Sequence, residues 1–395
     1  MSVSLINRVI LIVLDSVGIG NAPDAEKYGD KGCNTLGHIA KNVKQLAIPN
    51  LVKLGIGNLG SDLYLKSDNT PIGAYGRAIE KSAGKDTTTG HWEISGLITE
   101  KALPTFPFGL PKELLNQFES KIGTKTLGNK SASGTQIIDE YGDEHLRTGY
   151  PIVYTSADSV FQIAAHEDKI PIKNLYQICS IARELLTDAY AVGRIIARPF
   201  NGATKAFVRT SNRKDFSLKP FAETVLNRIQ EKGLDVIAVG KIDDIFAGYG
   251  ITDSIHTTSN ADGINKTLKM ISKNSSGLIF VNLVDFDTNY GHRRDVEGYA
   301  KCLEEFDARL PEVLFSLKPE DVLIITADHG NDPTATGTDH TRETVPILIY
   351  GQSIQKGISL GVCDSFADIG ATIADILNVT TTSAGKSFKD KLLIY

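Results

Sequence analysis

The sequence is poor in several things, and each scarcity excludes a class. Four cysteines (Cys33, Cys179, Cys302, Cys363) are scattered over 395 residues with no C-x-x-C pair. That excludes a disulfide-dense fold and a cysteine zinc finger, and it leaves free thiols in a reducing compartment. The longest early apolar run, Val9–Leu14, stops at Asp15. It is too short for a signal-peptide core or a membrane span, so a soluble, cytoplasmic protein is expected. There is no long Lys/Arg run, and 42 basic residues face 47 acidic ones for a net charge of −5. That balance argues against a nucleic-acid or membrane-surface binder and leaves no obligate protein partner evident. Internal repeats, low-complexity tracts and coiled-coil heptads are also missing. What remains is 41% apolar and 23% charged, a globular composition long enough for two or three domains. An anionic ligand would have to find its positive charge locally.

Five β-branched runs, Arg8–Leu14, Asp235–Val239, Leu278–Val284, Asp321–Thr326 and Val345–Tyr350, are apolar on both alternating faces. They read as parallel strands covered by helices on both sides. Helical patterns lie between them at Pro220–Glu231, Glu297–Leu310 and Phe366–Leu377. Alternating strand and helix predicts an α/β layered domain with a mostly parallel sheet. Residues 104–212 differ: short strands (Ile152–Tyr154, Arg194–Ala197, Phe207–Arg209), a helix near Leu175–Leu186, and many Gly, Thr and Ser. The expectation is a discontinuous core, 1–103 and 213–395, with a smaller α+β domain inserted at 104–212, either a cap or decoration.

Open α/β sheets bind ligands at the carboxyl ends of their strands. Three of these strands end in aspartates: Leu14-Asp15-Ser16, then Asp285-Phe286-Asp287 leading to Gly291-His292, and Ala327-Asp328-His329-Gly330 followed by Asp339-His340. An aspartate there is often only a helix cap, and a lone loop histidine is usually solvated. Their conjunction at three strand ends points instead to a metal site. Carboxylate with imidazole suits Mn, Zn or Fe, and two ions across a phosphoryl group stabilise both its entering and leaving oxygens. A hydroxyl candidate stands in Lys85-Asp86-Thr87-Thr88-Thr89-Gly90-His91-Trp92-Glu93. A helix N-terminus there would offer N–H groups to an anion, and metal coordination would activate a hydroxyl. Spacing does not choose among the three threonines.

Four segments together resemble the phosphopentomutase family of the alkaline phosphatase superfamily. They are Leu14 to Gly20, Gly84 to Glu93, Asp285 to Arg294, and Thr326 to Asp332 with Gly337 to Glu343. The Lys-Asp-Thr-x-Thr-Gly-His-Trp-Glu and Gly-His-Arg-Arg stretches are the more specific part. Asn34-Thr35 departs from the family's Asp-Thr. The resemblance implies an alkaline-phosphatase-like three-layer core and a two-manganese site. Asp287, His292 and His340 would hold one ion, and Asp15, Thr87, Asp328 and His329 the other. Thr87 would carry phosphate, loaded by a sugar bisphosphate activator of the ribose or glucose 1,6 type. The activity implied is interconversion of ribose 1-phosphate and ribose 5-phosphate, and of the 2-deoxyribose pair.

In the inserted segment, Ser156 and Asp158 suit sugar hydroxyls, and Arg194 and Arg209 offer the planar fork that fits phosphate. Lys241 is a further substrate candidate, and His91, next to the nucleophile, is either a support for the ligands or a histidine packed beside Trp92. His38, His145, His166 and His256 read as structural. A hydrolase of the same superfamily differs only in letting water accept the phosphoryl group. A non-catalytic metal module would need no hydroxyl beside its ligands.

Overall fold

The computed structural model describes residues 6–156 and 159–393. The chain divides into two compact units, Met1–Lys101 with Pro220–Tyr395, and Ala102–Lys219. The first holds an eight-stranded sheet. Its spatial order is Asp253–Ile255, Asp235–Val239, Gly277–Leu283, Arg8–Leu14, Asp321–Thr326, Val345–Gly351, Ala74–Ala78 and Ser359–Cys363. Every residue of Arg8–Leu14, Gly277–Leu283 and Asp321–Thr326 is buried, as the doubly apolar runs require. The faces are occupied by different helices. Phe280 stacks on His91 of the helix Thr87–Ile94 with ring centroids 5.7 Å apart. Leu283, three residues on and pointing the other way, meets Gly263 of the helix Asn260–Ser272. Helices cover both faces, giving three layers.

Two expectations are corrected here. The strand Val345–Gly351 is antiparallel to both neighbours, Asp321–Thr326 and Ala74–Ala78, not parallel. The loop before it, residues 327–344, contains no helix, and a parallel return needs a crossover of a dozen or more residues that is usually helical. The helix expected from Pro220 begins at Val225 instead. Thr224 and Asn227 form a reciprocal capping box there, and that side-chain bonding sets the start rather than the proline.

The second unit carries a mixed six-stranded sheet. Residues of Ile152–Thr155 and Val160–His166 alternate between two cores. Val153, Phe161 and Ile163 pack under the helices Lys112–Ile122 and Ile172–Leu185, while Ile152, Tyr154 and Ala164 pack on the helix Gly134–Thr148. The unit extends to Lys219 rather than Asn212, because Lys214–Ser217 pairs antiparallel with Arg194–Asn201. Among the described residues, no helix is long and apolar enough to cross a membrane.

Candidate active site

The register of the central strands sets up the site. Val13 lies opposite Asn282 on one side and Thr326 on the other, so the three strands end level. Asp15 leaves the first strand with its N–H on Leu283 O (3.2 Å). Ser16 follows at φ 73°, a sharp turn that points its N–H at Asp328 Oδ1 (3.0 Å). The second strand runs into the short helical turn Phe286–Gly291, which carries Asp287 and delivers His292. The third delivers Asp328 and His329. Gly330 and Thr341 then exchange both backbone hydrogen bonds (3.1 and 2.8 Å), which brings His340 back until its ring stacks 4.0 Å from that of His329.

All six expected ligands converge. Asp15, Asp328 and His329 form one group and Asp287, His329 and His340 another, with ligand atoms within 4.8 Å of one another. His292 joins the second, with Nε2 3.0 Å from Asp287 Oδ2 and 3.2 Å from His340 Nε2. Three features of this donor set fit a divalent cation. Asp15 Oδ1 and Asp328 Oδ2 are buried with no hydrogen-bond partner. His292 Nδ1 and His329 Nδ1 face the carbonyl oxygens of Thr338 (2.7 Å) and Gly330 (3.0 Å). Those bonds put the protons on Nδ1 and aim the Nε2 lone pairs inward, the usual arrangement of metal-binding imidazoles. Finally, three carboxylates crowd one buried space. Burial and the charges of Asp328 and Asp287 push the Asp15 carboxyl up to about 6. Burial also opposes ionisation of Asp287 and Asp328, yet both are held below the usual carboxylate range, Asp287 by His340 and His292, and Asp328 by His329 and His91.

The helix Thr87–Ile94 brings the hydroxyl. Asp86 caps it, Oδ1 accepting from the N–H groups of Thr88 (3.0 Å) and Thr89 (3.2 Å). The Thr89 hydroxyl donates back to Asp86 and is fully buried. The Thr87 hydroxyl instead lies 3.1 Å from His329 Nε2. The helix is anchored at its far end by Glu93, whose carboxylate accepts from Lys81 N, the Ser365 hydroxyl and Phe366 N. It is held close to the ligand strand by Gly90, where a Cβ would lie 2.1 Å from Asp328 O. Gly90→Ala is therefore expected to lower stability by about 1–3 kcal/mol, the usual range for overpacking. Activity should fall further than stability, because the shift moves Thr87 away from His329. Thermal melting and turnover measured on the same preparation check this.

The other expected site residues are more dispersed. Ser156 and Arg194 belong to the second unit, where Arg194 opens its strand 3.6 Å from Asp215. Arg209, in the same unit, donates to the Thr135 hydroxyl (3.1 Å). Asp158 lies outside the described residues. Lys241 sits in the first unit, at the start of the helix Ile242–Phe246. Asn34, the departure from the family pattern, caps the helix Thr35–Asn42 and donates from its amide to Asp62 O (2.9 Å), which an aspartate could not do.

Several supporting residues went unassigned at the sequence level. Asn331 donates to Asp287 Oδ1 (2.7 Å), and Arg294 orients it by donating to its Oδ1 (2.7 Å). Glu343, fully buried, accepts from Gly20 N, Thr35 N and the hydroxyls of Thr35 and Thr341, tying together the loops after two ligand strands. The motif boundaries contained all three, but no rule of spacing distinguishes a residue that orients a ligand from one that is a ligand.

Residues 7–381 match the Metalloenzyme superfamily profile. The chain is 60% identical over 388 residues to a phosphopentomutase of Caldanaerobacter subterraneus subsp. tengcongensis, covering 98% of each chain. It is 59% identical over 388 residues to a phosphopentomutase of Clostridioides difficile, covering 98% of this chain and 100% of the other. In fold it is similar to the PH0037 protein of Pyrococcus horikoshii, with a TM-score of 0.51 at 16% identity over 95% of this chain and 98% of that one.

Proposed function

The chain belongs to the phosphopentomutase family of the metalloenzyme superfamily, and on that premise we propose that it interconverts α-D-ribose 1-phosphate and D-ribose 5-phosphate, and the 2-deoxyribose pair, by way of a phosphothreonine at Thr87. As a family member it is an isomerase, a metal-dependent mutase of pentose phosphates, with an alkaline-phosphatase-like core. The observation that carries the finer reading is the Thr87 hydroxyl, 3.1 Å from His329 Nε2 beside two Asp/His groups.

Asp287, His292 and His340 would hold one manganese ion, and Asp15, Thr87, Asp328 and His329 the other. Bound there, the pair supplies positive charge that lowers the proton affinity of the Thr87 hydroxyl and offsets the charge of a phosphoryl group. A sugar bisphosphate of the ribose or glucose 1,6 type loads Thr87. A hydroxyl of the incoming pentose phosphate then attacks the phosphorus. One P–O bond forms to the sugar while the bond to Thr87 Oγ1 breaks, and the sugar's proton ends on Oγ1. The product is a pentose 1,5-bisphosphate. Its other phosphoryl group returns to Oγ1 by the reverse exchange, so no water is consumed. Thr87 stands at the amino end of the helix Thr87–Ile94, where the helix dipole favours a transferred anion. Ser156, Asp158, Arg194, Arg209 and Lys241 are the groups assigned to the sugar and its non-reacting phosphate. The four unpaired cysteines suit a cytoplasmic setting.

The deciding experiment supplies ribose 1-phosphate with Mn²⁺ and follows phosphorus by NMR. Ribose 5-phosphate without free phosphate supports the mutase, and accumulating free phosphate replaces it with a hydrolase. The Arg194 assignment has its own check. Arg194→Ala should slow pentose-phosphate turnover by about tenfold to a hundredfold, the worth of a charge-assisted bond. Hydrolysis of a small aryl phosphate should hardly change. Equal loss on both substrates places Arg194 outside recognition.

A further inference from the structure

Asn282 is a polar side chain, 1% exposed, in a strand that is buried along its whole length. Burying an amide there is costly unless its hydrogen bonds are made. Its Nδ2 donates to Asp15 Oδ2 (2.8 Å) and also lies 3.3 Å from His91 Nε2. We propose that Asn282 and His91 act as a positioning pair that ties the Asp15 carboxylate to the main chain of Thr87.

The orientation of the amide follows from its neighbours. A carboxylate only accepts, so the NH₂ end must face Asp15. The second N–H then points to His91 Nε2, which becomes the acceptor and leaves the ring proton on Nδ1. His91 Nδ1 lies 2.8 Å from the carbonyl oxygen of Thr87 and 3.2 Å from Asp328 Oδ2. Phe280, stacked on the imidazole, keeps the ring in plane with this chain of bonds. Two consequences follow. Asp15 has one oxygen taken by the amide, and its other, Oδ1, is left without a hydrogen-bond partner. Thr87 has its carbonyl held by a ring that also touches Asp328, so the hydroxyl-bearing residue is set against both carboxylates at once. His91 stands beside the nucleophile in sequence, but Asn282 is hidden there as a single polar residue in an otherwise apolar strand.

The inference rests on the reading of Asp15 as a metal ligand and Thr87 as the phosphoryl acceptor, and the test separates the two. Chelated full-length protein is titrated with Mn²⁺, and affinity is read from water-proton relaxation. Asn282→Leu, which keeps the branched shape and removes the donor, should weaken Mn²⁺ by about tenfold to a hundredfold, the range seen when a group orienting a ligand is lost. Asn282→Ser, smaller and still a donor, should lose less and serves where the leucine variant does not fold. His91→Phe should lower kcat about tenfold with KM unchanged. Combined with Asn282→Leu, it should add little further loss in kcat, since both break one chain of bonds. Parental Mn²⁺ affinity in both Asn282 variants, or kcat losses that multiply in the double variant, overturns the pair. Phosphate found on Thr88 or Thr89 while Asn282→Leu still loses Mn²⁺ overturns the Thr87 reading and keeps the hold on Asp15.

Discussion

Thr87→Ala should fold as the parent does, still take up Mn²⁺, and lose mutase turnover by a factor on the order of 10⁴–10⁶, the range for deleting a catalytic nucleophile. Folding should survive because Thr87 contributes little to it. The helix Thr87–Ile94 is started by the Asp86 cap and anchored by Glu93, and the Thr87 side chain makes one hydrogen bond, to His329. Alanine is also the better helix former. Chemistry should not survive, because the hydroxyl that lies against His329 Nε2 is removed. That of Thr89 is occupied by Asp86. Peptide mass mapping after incubation with a sugar bisphosphate supplies the readout. The parent should carry phosphate on Thr87, and the variant on no threonine of this segment. Thr87→Ser keeps an oxygen at the same place and should retain part of the activity. Phosphate on Thr88 or Thr89 in the parent would move the nucleophile one or two residues along the helix, away from His329.

Much of the site could be read from sequence because the central strands are buried on both faces. Such strands become continuous apolar runs, and the first carboxylate after each run stands out. Asp15, Asp328 and the pair Asp285/Asp287 were visible in that way. The flanking strands were harder. Ala74–Ala78 and Ser359–Cys363 each contain a glycine, which weakens the β signal, and neither gives a long apolar run. Strand direction in Val345–Gly351 was not legible at all, because alternation of side chains is the same in both senses. Only the absence of a helical crossover before it carries the information.

Choosing between threonines needed the cap. Asp86, Thr88 and Thr89 form a local hydrogen-bonding unit that any N-terminal helix turn could contain, and the residue left over faces the ligands. Residues that hold the ligands in place escaped for a different reason. Asn282, Asn331 and Arg294 act over sequence separations of 267, 44 and 37 residues, so only the fold brings them to their partners. Arg294 also adopts φ 57°, a conformation that sequence pattern does not announce for arginine.

Chelation should abolish turnover, lower the thermal midpoint and be reversed by Mn²⁺, all from one cause. Asp15, Asp287 and Asp328 are 1%, 4% and 0% exposed. Three ionised carboxylates contribute −3 and two divalent ions would contribute +4, so the loaded site would stand near +1 before a phosphate arrives. Without the ions the same side chains face an incoming phosphate with repulsion, and the chain as a whole, at −5, offers no compensation. A cation that binds only the folded protein stabilises it by about 2.7 kcal/mol when present at 100 times its Kd. Removing it should therefore lower the midpoint by several degrees in a chain of this size. Re-addition should discriminate among metals. Imidazoles from His292, His329 and His340 favour Mn²⁺ over Mg²⁺, which prefers oxygen ligands and water. Recovery with Mn²⁺ but little with Mg²⁺ is the expected pattern in a turnover assay of the chelated protein. Full turnover in metal-free protein would leave the buried carboxylates without a role in the reaction. Equal recovery with both ions would mean that the carboxylates alone, and not the imidazoles, set the metal preference.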